Sequence, residues 1–219
     1  MRRLRRMLGA YLKMIIEDFG ARVASVWQGL RSTTRNLIVG ALQQSSSNGS
    51  SARRTPTTPY DARADLELSR LLAALDERAI EDGAALNADQ ARELRRMADT
   101  TAELLQYQTR SAEVFAQLVA RAHVRNDFAR IDALADALSS RFAPSEICEL
   151  TRTNNQVVRA LALEAMVLLP TRQLVTLLVD PVDGDIAREA LDRQAFEYES
   201  EEARQIVNAL DGSYGDIDI

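Results

Sequence analysis

Three residue types that carry much of protein site chemistry are almost missing here. Among 219 residues there is one cysteine, Cys148, one histidine, His123, and one lysine, Lys13. A single cysteine excludes an intramolecular disulfide and fits a reducing compartment. Its setting, Ile147-Cys148-Glu149-Leu150, reads as that of a small buried hydrophobe. One histidine and one cysteine do not supply the three or four ligands of a zinc site. Aromatics make up 5% of the chain, and no run of alternating β-branched residues extends beyond a few positions, which excludes a sizeable sheet. No phosphate loop, nucleophile elbow or zinc-protease helix occurs. The sequence therefore reads as a non-enzyme without metal or cofactor.

What is abundant is helix chemistry. Leu, Ala, Glu, Arg and Gln dominate, and these are strong helix formers. The expected class is all-α, with three parts: an amphipathic helical arm at 1–43, a disordered linker at 44–60 and a helical body at 61–219. The charge divides the same way. Residues 1–60 carry a net +8 and residues 61–219 a net −13, so arm and body offer partners opposite surfaces.

The arm opens with Arg2, Arg3, Arg5 and Arg6. Apolar residues then recur at Leu4, Leu8, Tyr11, Ile15, Phe19, Val23, Val26 and Leu30, spacings of three and four that mark one helical face. Arg2, Arg6 and Lys13 fall opposite it. Asp18 and Arg22 are spaced for an ion pair within the helix, and Gly20 marks a bend. A second helix is expected from Thr34 to Leu42. The window from Leu8 to Leu30 contains Lys13, Glu17, Asp18 and Arg22. Burying those charges at a bilayer centre costs on the order of 10 kcal/mol, so the arm is not expected to span a membrane. The first sixteen residues also fit a mitochondrial presequence, which Glu17 and Asp18 oppose. Three roles remain for the arm: docking on an anionic membrane surface, docking on a protein partner or on a second copy, or packing on the rest of the chain. Arg2, Arg3, Arg5, Arg6, Lys13 and Trp27 are the candidate interaction residues. Nucleic acid is disfavoured, because the body would repel a polyanion and no base-reading motif is present. The expected location is the cytoplasm, with peripheral membrane association through the arm.

The linker contains Gln44 to Ser51 and then Arg53-Arg54-Thr55-Pro56-Thr57-Thr58-Pro59. Nothing in it fills a core, and as a flexible chain it would reach roughly 20–25 Å. Asn48-Gly49-Ser50 is a formal glycosylation sequon.

In the body, one helix is expected from Ala62 to Ile80, with Leu66, Leu68, Leu71, Leu72 and Leu75 as apolar positions. The next begins at Asn87, with Gln90 three residues on as a capping box, and it either continues through Phe115 or breaks near Thr109-Arg110-Ser111. Beyond Arg125 a pattern repeats. Asn126-x-x-Ala129-Arg130-x-x-Ala133 recurs as Asn155-x-x-Val158-Arg159-x-x-Ala162, and a weaker copy contains Ile186-Ala187-Arg188. Arg130, Arg159 and Arg188 stand 29 apart, the mark of helical-pair repeats. With Leu174 to Pro181 and the following Ile186-Ala187-Arg188, residues 126–194 resemble the short repeats of the HEAT family. They depart from it at Arg193, where a small residue is usual, and in a longer 181–185 turn. The resemblance implies a curved helical stack whose faces bind partners, usually proteins. The clustered Asp180, Asp183 and Asp185 lack the spacing of a calcium loop and read as a turn. Glu197, Glu199, Glu201 and Glu202 read as charge at a helix start.

Overall fold

The computed structural model describes residues 16–46, 60–81 and 86–214, and among them every regular element is a helix. The contacts divide the chain into two compact units, Met1–Thr109 and Arg110–Ile219, described separately here.

In the N-terminal unit, residues 16–18 are helical and the chain breaks at Gly20. Gly20 has φ +106° and ψ 166°, a region open mainly to glycine, so the expected bend is a full interruption. Helix α1 (Ala21–Gly29), α2 (Ser32–Ser46), α3 (Ala62–Ile80) and α4 (Ala88–Gln108) follow. Helix α3 has the bounds its periodicity suggests, and the Asn87–Gln90 capping box opens α4. Of the apolar positions expected in α3, Leu68, Leu71, Leu72 and Leu75 are buried, while Leu66 is exposed.

The described part of the expected arm belongs to this core. Helix α1 packs on α3, and α2 packs on α4 and α3. Ile16, Phe19, Val23, Trp27, Leu30, Ile38 and Leu42 are buried. The interruption at Gly20 resets the helical phase, so Trp27 turns inward and Val26 sits at the margin. For the same reason Arg22 does not pair within its own helix but reaches Glu77 of α3 at 2.7 Å. Arg78 of α3 donates to the Phe19 carbonyl at 2.8 Å, and Arg96 of α4 to the Leu42 carbonyl at 2.7 Å. These bonds tie the 16–46 backbone to both long helices. The division of the chain thus falls at Thr109, not at residue 60. Most of the expected linker, residues 47–59, lies outside the described residues.

One largely buried carboxylate fixes the turn between α1 and α2. Glu67 of α3 accepts from the Thr34 hydroxyl at 2.5 Å, from the Arg31 backbone N–H at 3.1 Å and from the Arg31 Nε at 2.8 Å. Arg31 also donates to Asp61 at 2.8 Å. Burial alone would raise the Glu67 pKa, but the hydrogen bonds from Thr34 and Arg31 outweigh it and hold the carboxyl below the ordinary glutamate range. Glu67→Ala strands the Thr34 hydroxyl and the Arg31 N–H, at an expected cost of about 2–3 kcal/mol. A carboxyl depressed in the folded state stabilises fully above its unfolded pKa of about 4.3. That contribution is lost as pH falls through the folded value. Urea unfolding of the wild type and of Glu67→Gln should therefore differ at neutral pH and converge in acid.

The C-terminal unit comprises α5 (Ala112–Val124), α6 (Phe128–Arg141), α7 (Pro144–Thr151), α8 (Gln156–Val167), α9 (Thr171–Leu177), α10 (Gly184–Phe196) and α11 (Glu201–Tyr214). Of the two courses expected for the helix that begins at Asn87, the chain takes the break near Thr109-Arg110-Ser111, with Thr109 closing α4 and Ser111 preceding α5. Local chemistry sets the boundaries. Asp127 and Asn155 cap α6 and α8 with their side chains, and Pro144 opens α7. The Ala112 N–H at the start of α5 is satisfied from afar, by Glu146 of α7 at 2.7 Å.

Packing alternates. Each helix from α5 to α10 packs on its sequence neighbour or hairpin partner and also on the helix after next: α5 on α7, α7 on α9, α6 on α8 and α8 on α10, with α11 covering α10. The core holds Phe115 edge-on to Phe142 at 5.3 Å and 75°, with Leu138, Ile147, Cys148, Val158 and Leu174 buried. Burial, with the nearby Asp183 charge, pushes the Cys148 thiol up to about 11, and its sulfur lies 3.8 Å from that of Met166. Its setting in the core matches the small-hydrophobe reading.

Candidate functional site

The residues singled out from the sequence do not converge on one place. Arg2, Arg3, Arg5, Arg6 and Lys13 lie outside the described residues. Trp27 is 8% exposed, so it is a core residue of the N-terminal unit and not a docking residue. Its phase on α1 puts it there once Gly20 interrupts the helix.

The three repeat arginines separate into a pair and an outlier. In α8 and α10, Arg159 and Arg188 each follow the first buried position, Val158 and Ala187, and the later buried residues Ala162, Ala165 and Met166 match Leu191, Gln194 and Ala195 at the same 29-residue offset. In α6 the first buried residue, Ile131, follows Arg130, so α6 is out of that register. Their partners differ as well. Arg130 meets Asp127 at 3.3 Å, Arg188 pairs with Asp211 and Asp192, and Arg159 reaches the Thr153 carbonyl at 3.5 Å. Arg193, where the family usually has a small residue, bridges α10 to α8 by pairing with Glu164 at 2.8 Å and also holds Glu197 at 3.0 Å.

The Asp180–Asp185 cluster is a turn. Asp180 accepts from the Val182 and Asp183 N–H groups at 2.8 and 3.0 Å, which holds its carboxyl below the usual range. Arg152 donates to the Val182 carbonyl at 2.8 Å and to the Asp183 carboxylate. Gly184 is required by space, since a Cβ there would lie 2.9 Å from the Leu178 carbonyl oxygen. Among the described residues no group of three or more His, Cys, Asp or Glu could hold a metal ion.

The feature most open to a partner lies at the other end of these helix pairs. The α8–α9 turn and the α10–α11 turn enclose an open cleft of about 420 Å³. Its floor is built by Gln194, which is buried and donates to the Val167 and Leu169 carbonyls at 2.8 and 2.7 Å while accepting from the Thr171 hydroxyl at 3.2 Å. One amide thus pins the α8–α9 turn to α10. On the opposite wall the chain leaves α10 through Glu199, at φ +53°, and Ser200 donates back to the Gln194 carbonyl at 2.9 Å. A left-handed non-glycine residue carries local strain, accepted here to turn the chain sharply into α11. Large apolar side chains stand at the rim, Leu168 61% and Tyr198 53% exposed, and Phe196, 67% exposed, ends α10 two residues before Tyr198.

The cleft was not read from the sequence. Its two walls are separated by about 30 residues. Leu168 adjoins a continuous apolar run, while Phe196 and Tyr198 sit within an acidic stretch that reads as solvated charge. The one available signal was two aromatics interleaved with those acids.

No protein family matches the chain, and no similar protein was found among curated sequences or solved structures. No single described helix is long and apolar enough to cross a membrane. The bent pair α8 and α9 reaches that length and apolarity together, but it turns through 112° and its Val158, Ala162, Met166 and Leu174 are buried within the unit.

Proposed function

We propose that this chain is a non-enzymatic adaptor or assembly protein. Its C-terminal unit is a short stack of HEAT-like helix pairs that binds a protein partner. Its basic N-terminal residues dock on a second surface, either an anionic membrane or another protein. The observation that carries the reading is the alternating packing of α5 to α10, in which every second helix stacks. Contact between every second helix supports a stack of helix pairs, an architecture whose faces and turns bind partners. The exposed Leu168, Phe196 and Tyr198 lie at such turns, and apolar side chains grouped around a concavity mark a binding surface. A second reading, a structural subunit laced to its neighbours by the basic arm, draws on the same cleft. Nucleic-acid binding through the arm ranks below both, since the body is acidic.

The test uses the full-length chain with a benzophenone amino acid in place of Tyr198, irradiated in its native setting. A discrete stoichiometric adduct that disappears with Leu168→Asp is the expected result. Diffuse adducts insensitive to Leu168→Asp would overturn the binding role of this unit.

A further inference from the structure

The cleft at the α8–α9 and α10–α11 turns has a charge character as well as an apolar one. Glu202 lines its α10–α11 side, Glu197, Glu199 and Glu201 alternate in sequence with the lining residues Tyr198, Ser200 and Glu202, and all four glutamates are exposed. The nearby arginines are already engaged: Arg193 with Glu164 and Glu197, and Arg204 with Glu201 at 3.2 Å. Among the described residues no cation pairs with Glu199 or Glu202. Arg172, on the α9 side, is the one basic residue of the cleft lining. An occupant should therefore bring apolar side chains at helical spacing for the Leu168–Tyr198 rim, together with several cations and no acids for Glu202 and the exposed glutamates of the same turn.

One segment of this chain has that composition. Residues 1–15 hold Arg2, Arg3, Arg5, Arg6 and Lys13 without an acidic residue, and Leu4, Leu8 and Tyr11 recur at helical spacing among them. As a helix the segment would span about 22 Å. No spacer separates it from Ile16, which is buried in the N-terminal unit. Docking on a second copy requires no reach beyond the segment's own length.

We infer that residues 1–15 of one copy dock in the cleft beside the acidic α10–α11 turn of a second copy, joining chains head to tail. This rests on the binding role proposed above and names the partner. The contact is heterologous, since the surface used on one copy differs from that used on the next. Association therefore either continues into open chains or closes into a ring. Its charge component makes it weaken with salt.

The experiment is sedimentation velocity on the purified full-length protein over a wide concentration range, at low and high salt. Expected is an average mass that rises with concentration and falls with salt. Two variants separate the two halves of the contact: reversal of Arg2, Arg3, Arg5 and Arg6 to Glu, and Leu168→Asp at an exposed position that leaves the core intact. Each should weaken association by about 30-fold or more, as for a central anchor residue. Mixing them is the decisive arm. The first variant keeps a working cleft and the second a working segment, so the mixture should form a one-to-one dimer and stop there. A wild-type protein that stays monomeric throughout overturns the inference, including the case in which the segment seats on its own chain. So does assembly unaffected by either variant, or a mixture that fails to dimerise. A crosslinked adduct to a different protein in the earlier test, with monomeric protein here, would leave the adaptor reading standing and remove self-docking alone.

Discussion

A chain that begins at Tyr60 is expected to lose the N-terminal unit altogether. The removed residues include Ile16, Phe19, Val23, Trp27, Leu30, Ile38 and Leu42, all buried against the rest of that unit. At about 1.5–3 kcal/mol for each buried large apolar side chain, their removal withdraws on the order of 10–20 kcal/mol, as much as the roughly 5–15 kcal/mol by which a whole domain is usually stable. The truncation also takes away the Thr34 and Arg31 donors of Glu67 and the Phe19 carbonyl to which Arg78 donates. Far-UV circular dichroism should show helix loss beyond that of the deleted residues. Amides of α3 and α4 should exchange as in an unfolded chain, and a dye that binds exposed apolar surface should respond. A truncated protein with protected α3 and α4 amides would overturn the assignment of residues 16–46 to this core. The consequence for experiment is direct: the arm must be tested by substituting Arg2, Arg3, Arg5 and Arg6, not by deletion to residue 60.

In the C-terminal unit the largest single-residue effect is expected from Phe115→Ala. Phe115 is fully buried in α5, which packs on α6, α7 and α8, and its ring meets Phe142 edge-on at 5.3 Å. Truncation removes the transfer free energy of the ring and leaves a cavity, about 3–5 kcal/mol together, part of it the aromatic pair. Phe115→Leu should recover much of the loss. Val124→Ala, at the exposed end of the same helix, should stay within about 0.5 kcal/mol of wild type. Denaturant midpoints at unchanged slope measure these differences, and exchange of α5 to α8 amides assigns them to this unit. Equal midpoints for Phe115→Ala and Val124→Ala would contradict the packing described.

The contrast between these two units shows which signals the sequence carries. Helix α3 and the start of α4 were legible because their determinants are local: a leucine stripe, the Asn87 cap and the Gln90 return bond. The amphipathic stripe of residues 4–30 was legible as a stripe, but amphipathicity reports that a face is covered and not what covers it. Residues 16–30 turned out to be covered by α3 because Gly20 reorients the chain and Glu77, Arg78 and Glu67 supply partners about 35 to 60 positions away. At the 29-residue offset Arg159 and Arg188 sit at the same burial phase of their helices, yet in α6 the buried phase comes one step after Arg130. Spacing of one residue type does not fix which face of a helix it occupies. The cleft depends on Gln194 reaching two carbonyls of a turn 25 and 27 positions earlier, a relation that no local pattern announces.

Trp27 is the only tryptophan in the chain and lies within the first unit, sealed by its neighbours. Its emission therefore watches one half of the molecule. A red shift during denaturation reports opening of the N-terminal unit alone, while helix content reports both. If the two optical traces separate along a denaturant series, the gap between them measures how far the units unfold independently, with no label introduced.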